Sequence, residues 1–247
     1  MPNQELRYTH VSNFYRNALA LMDESWIVHE SNLGEDGADS GKKSHSESGN
    51  TALAILIMII KLEADLRSRY DAISERSDAD SIINPVELMK NTATSLNSNI
   101  DTTLLNTYGN YMFELLLVRN IIAHGYIYEG NMLFDDEWAI TSLTGSNVTG
   151  RDRSKIGEDG RTKLLKIETS PYKMCVFHAI TVYRTIEVIR EMTNMTLSTE
   201  NIQHRGEYIT MREWLEMATG GISPERNEIN SRLHDDYYVV MASLSDF

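Results

Sequence analysis

The run Leu115-Leu116-Leu117-Val118-Arg119-Asn120-Ile121-Ile122-Ala123-His124-Gly125-Tyr126 decides how this chain is read. Most of it is apolar at helical spacing, and it closes on a glycine at the position where a helix C-terminus favours one. Leu104, Tyr108, Tyr111, Leu115, Val118 and Ile122 recur at alternating intervals of four and three residues. That is a heptad-like seam, and it carries the helix back to Asp101 as N-cap. Arg119-Asn120 and His124 interrupt the apolar pattern. A guanidinium in such a run must be paired, reach water along its stem, or face a cleft.

Working outward, Gln4 to about Glu30 reads as a first helix, with Phe14, Ala18, Leu21, Met22 and Trp26 near helical spacing. Thr51 to Ser74 reads as a second. It is apolar on all sides from Ala52 to Ile60, which places that half at the centre of a bundle, and turns polar through Lys61, Glu63, Asp65, Arg67 and Arg69. The intervening 32–50 segment, rich in Gly, Ser and charge, reads as a flexible loop. Gly41-Lys42 is not a phosphate loop, because Lys43 replaces the required Ser or Thr and Asp36 the first glycine. Asn84-Pro85-Val86-Glu87 opens a third helix with cap, N1 proline and first-turn acid. Ser170-Pro171 and Ser223-Pro224 repeat the device.

After Gly125 the period changes. Tyr126–Tyr128, Met132–Phe134, Trp138–Ser142 and Lys163–Glu168 read as short strands around the Gly- and Asn-containing segment Thr144–Gly160, giving a β-hairpin insertion over 126–169. Helix resumes from Pro171 to about Thr193. Thr210-Met211-Arg212-Glu213 is a capping box for a short helix through Ala218, and a last helix follows Pro224. The expectation is an all-α bundle over 1–195 with the hairpin insertion, followed by a C-terminal helical extension over 196–247.

The chain has 247 residues, 41% hydrophobic and 24% charged, enough for a substantial core. Met1 to Arg16 is polar, without the apolar stretch of a signal segment, and Ala52–Ile60 is far shorter than the roughly 20 residues of a membrane span. A single cysteine, Cys175, leaves no intramolecular disulfide, which suits a reducing compartment. These features lead to the expectation of a soluble cytoplasmic protein. The formal net charge of −13 argues against broad binding to nucleic acid and leaves room only for a small local basic site.

His124 ends its helix, where unpaired carbonyls favour an imidazolium, so it is suited to proton transfer near neutral pH. Asn120 lies one turn before it on the same face. Arg119, about 40° from Leu115 on a helical wheel, lies at the edge of the apolar stripe but about 140° from His124. Three arrangements reconcile the two: a distorted last turn, a groove reached from both sides, or two chains pairing these helices into a composite site. Pairing is preferred, because it also gives the seam something to pack on. The plainer reading makes Arg119 a structural ion pair with Glu63 or Asp65 and His124 a solvated cap. The seven histidines show no ligand spacing with one another or with Cys175, so neither metal nor cofactor is expected. His178 reads as a satisfied core histidine and His45 as inert. Tyr126 and Tyr128 also suit the opening of a hairpin.

Arg119-Asn120, three residues, then His124-Gly125-Tyr126 resembles the signature of HEPN-domain proteins, in the Arg-x4-His-x-Tyr form of HEPN toxins. The resemblance implies a helical bundle and a metal-independent endoribonuclease of toxin–antitoxin or antiviral type. It makes Arg119, Asn120 and His124 catalytic, and Tyr126 a residue that a partner nucleotidyltransferase antitoxin adenylylates. It also implies a polar or acidic residue from an earlier central helix beside the Arg and His; Glu63 is the first candidate and Asp65 the second. The expected function is RNA cleavage by 2′-hydroxyl attack in a homodimer. The alternatives are a non-catalytic HEPN module that binds a nucleotide or protein partner, and a helical scaffold in which Arg119 is occluded.

Overall fold

The computed structural model describes residues 3–33, 40–74, 84–124, 175–195, 201–220 and 224–245. These form α1 (Asn3–Leu33), α2 (Ser40–Ser74), α3 (Pro85–Leu96), α4 (Thr102–His124), α5 (Val176–Met192), β1 (Asn201–His204), β2 (Glu207–Thr210), α6 (Met211–Thr219) and α7 (Pro224–Ser245). The described chain is mostly helical with one two-stranded antiparallel sheet. The insertion expected over 126–169 lies outside the described residues.

α2 is the hub, packed against α1, α3, α4 and α5. Its cross-links fix the directions of its neighbours. Asn50 donates to Glu24 and His29 faces Glu47, so α1 runs antiparallel to it. Val176 with Glu47, Arg190 with Asp65, and Arg69 with Thr193 place α5 parallel to it. The helix buried nearly all round is α5, where Val176–Tyr183 and Val188–Arg190 are inside without a break. α2 is less enclosed than its composition implies: Leu53 and Ile60 are exposed at 45% and 42%. An apolar circumference therefore does not make α2 buried on every side.

Helix starts follow local chemistry where the caps are short-range. The Asn84 side chain accepts from the Val86 N–H at 3.0 Å with Pro85 behind it, and the Asp101 carboxylate accepts from the Thr103 N–H at 2.7 Å. Thr210 and Glu213 close the expected capping box: Thr210 Oγ1 accepts from the Glu213 N–H at 3.2 Å, and Glu213 Oε2 from the Thr210 N–H at 2.8 Å. The 32–50 loop is corrected, since α2 is already helical from Ser40. Its early turns are held by tertiary contacts. Buried Glu47 accepts from the Val176 N–H at 3.2 Å, one of the amides that the start of α5 leaves without an intrahelical partner. Pro171 is corrected as the start of this helix too: Cys175 is extended and α5 begins at Val176.

The 196–247 segment is not purely helical. β1 and β2 pair from Asn201↔Thr210 to His204↔Glu207 across Arg205-Gly206, whose φ values of 48° and 90° suit a two-residue turn that follows the twist of the strands. Buried Asp23 on α1 anchors this segment, its Oδ1 lying 2.7 Å from His204 Nδ1 and accepting from Trp214 Nε1 at 2.7 Å. Trp214, Leu233 and Val240 lie in the same buried cluster as Met22, Ile55 and Leu115.

Candidate functional site

The polar second half of α2 meets two other helices through two acids on different sides of it. Glu63 faces α4. One terminal guanidinium nitrogen of Arg119 lies 2.9 Å from Glu63 Oε1 and donates to Oε2 at 3.0 Å. The pair is only half enclosed, with the Arg119 side chain 29% exposed and that of Glu63 20%. Burial pushes the Glu63 carboxyl above its usual range, while the charges of Arg119 and Arg67 and the hydrogen bond from Arg119 pull it back. Arg119 Nε is buried and has no hydrogen-bond partner among the described residues.

Asp65, the second candidate, is not part of this pair. It accepts from Arg190 Nη2 at 2.6 Å, and Lys61 donates to its other oxygen. The Arg190 guanidinium also lies over the Tyr15 ring, 4.9 Å from its centroid. This is a junction of α1, α2 and α5 in which the Arg190 side chain is 10% exposed and that of Asp65 20%.

The structure thus brings Arg119 and Glu63 together. The side chains of Asn120 and His124, and all of Gly125 and Tyr126, lie outside the described residues. The backbone of α4 is α-helical to His124, the geometry in which positions 119 and 124 lie about 140° apart. The heptad-like seam does point inward, but this chain covers it itself. Tyr108, Leu115 and Val118 are fully buried, Tyr108 donates to Asp236 on α7 at 2.8 Å, and Arg232 donates to the Tyr111 hydroxyl. The seam therefore gives no reason to invoke a second copy.

Other interacting groups went unread in the sequence. His178 is buried as expected, but its role is specific: its Nδ1 accepts from the Cys175 N–H at 3.0 Å and lies 3.2 Å from the Cys175 sulfur at the start of α5. Glu187, on the same helix, is pushed up to about 7 by burial, against the pull of Arg184, a hydrogen bond from Tyr183, and Arg190. The Asp23 contacts join residues 181 and 191 positions apart, beyond the reach of any local pattern. Among the described residues no group of His, Cys, Asp and Glu could hold a metal ion, and no helix is long and apolar enough to cross a membrane. No family model matches this chain, and neither a curated protein nor a solved structure matches it.

Proposed function

We propose that this chain is a metal-independent endoribonuclease of the HEPN type, a toxin or antiviral effector acting in the cytoplasm as a homodimer. The observation that supports this reading is the Arg119–Glu63 pair, which joins the helix of the Arg-x4-His-x-Tyr motif to an acid on a central helix while its guanidinium stays in reach of solvent. The occluded arginine of a pure scaffold is a poorer description of that geometry. In the proposed reaction a ribose 2′-oxygen attacks the adjacent phosphorus, its proton passes to an imidazole, and the bond to the 5′-oxygen breaks as that oxygen gains a proton. This leaves a cyclic phosphate and a free 5′-hydroxyl. His124, with the His124 of a second copy, supplies the base and the acid. Arg119 binds the phosphate and offsets its growing charge, Glu63 orients the guanidinium, and Asn120 orients the imidazole or the phosphate. Tyr126 stacks on a base or takes the adenylyl group from a nucleotidyltransferase antitoxin.

The experiment is cleavage of RNA by purified protein with chelator present. Arg119→Ala and His124→Ala should each lower the rate by at least about 100-fold, with unchanged circular dichroism. Cleavage by His124→Ala at the wild-type rate would refute the assignment. One observation favours a second reading, a non-catalytic HEPN module that binds a nucleotide or protein: Arg119 is already neutralised by Glu63 in a chain of net charge −13. Binding of nucleotide without any cleavage by wild type would select it.

A further inference from the structure

Arg119 and Glu63 together carry no net charge, so the pair alone offers an incoming phosphate little long-range attraction in so acidic a chain. The missing charge lies on the same face of α2. Arg67 follows Glu63 by four residues on this continuous helix, which puts the two side chains one turn apart, roughly 5–6 Å between Cβ atoms. Its field acts on the Glu63 carboxylate alongside that of Arg119.

Among the described residues, Arg67 differs from the other cations around this end of α2 in being uncommitted. Lys61 and Arg190 are both engaged by Asp65, and Arg69 Nε donates to the Thr193 carbonyl at 3.4 Å. Arg67 is exposed and makes no hydrogen bond or ion pair with a described residue. A structural guanidinium normally has a partner or a covered stem; a solvated one beside a half-open ion pair is placed to receive an anion.

Resting on the endoribonuclease reading, we propose that Arg67 is a second phosphate contact of this site, so that an RNA backbone is held from α2 by Arg67 and from α4 by Arg119. Glu63, one helical turn before Arg67, holds the Arg119 guanidinium in place before the phosphate arrives. Arg67 gives the three-residue group its one net positive charge, the charge that draws a single phosphodiester to it. The site then grips a short stretch of backbone by one or two phosphates, which is compatible with an acidic protein.

The test is binding of a short single-stranded 2′-O-methyl RNA oligomer, which lacks the attacking hydroxyl, to the full chain between about 50 and 200 mM salt. Arg67→Ala should weaken binding about tenfold at the lowest salt and make the slope of log affinity against log salt shallower by about 0.7, the share of one phosphate contact. Arg67→Glu should weaken it further and Arg67→Lys should restore most of it. Arg212→Ala on α6, an exposed arginine that pairs with Glu216, should leave affinity and slope unchanged. If wild type binds the oligomer and cuts RNA while Arg67→Ala keeps the wild-type affinity and slope, the role of Arg67 is overturned and the endoribonuclease reading stands. If wild type neither binds the oligomer nor cuts RNA, that reading falls and takes this one with it.

Discussion

Two ion pairs on one helix, two residues apart, have opposite characters. Glu63 and Asp65 each hold an arginine from another helix, Arg119 on α4 and Arg190 on α5. The Arg190 side chain is 10% exposed, lies over Tyr15 and shares its acid with Lys61; the Arg119 side chain is 29% exposed, has no aromatic ring over it among the described residues, and has the exposed Arg67 on the neighbouring turn of α2. The chemistry is the same and the surroundings differ. The two acids are equally exposed, at 20%, so the contrast lies in the arginines: the more covered Arg190 acts as the lock, because its loss leaves a partly buried charge less compensated. The pair with the more exposed arginine contributes less to stability and leaves part of its guanidinium open to a further anion.

Mutations can break that contrast or sharpen it. The largest stability effect should come from the closed pair: Arg190→Ala leaves Asp65 with Lys61 alone, removes the guanidinium from the Tyr15 ring, and should cost about 3 kcal/mol in urea denaturation. A loss as small as that of Arg119→Ala would erase the distinction. Next is the pH dependence of the closed region. Glu187 binds its proton more tightly folded than unfolded, so stability is greatest with the carboxyl protonated and falls as pH rises from the ordinary carboxylate range, around 4.5, to about 7, then levels off. The fall should be on the order of 1–3 kcal/mol, and Glu187→Gln should flatten that part of the curve. The smallest effect should come from the open pair. Arg119→Ala should cost less than Arg190→Ala, about 1 kcal/mol, because the charge of Arg67 still acts on the Glu63 carboxylate. A loss above about 3 kcal/mol would make Arg119 a lock like Arg190.

Much of this architecture could be read in advance wherever it depended on neighbouring residues. Asn84-Pro85, Asp101 and Thr210–Glu213 mark helix starts because each cap is satisfied within three residues of itself. Glu63 was legible as a partner for Arg119 only as one of two candidates, since spacing on a helix does not show which neighbouring helix each face meets. The segment before Thr51 was misread because its Gly, Ser and charge resemble a loop, whereas Glu47 is held by an amide 129 residues away. β1 and β2 escaped notice because each has four residues and little alternation beyond the Ile202–Ile209 pair.

The sequence by itself determined that this is a helical protein, where several of its helices begin, and that the α4 run carries an arginine at the edge of an apolar stripe and a histidine at its end, about 140° apart on an ideal helix. Those features follow from periodicity and capping, which act over one or two turns. Tertiary structure alone decided that α5 rather than α2 is enclosed, that the seam of α4 is buried in this chain's own core, and that Glu63 meets Arg119 while Asp65 meets Arg190. Burial and ion pairing depend on which helices are brought together, and that is set by the packing of the whole core rather than by any single stretch.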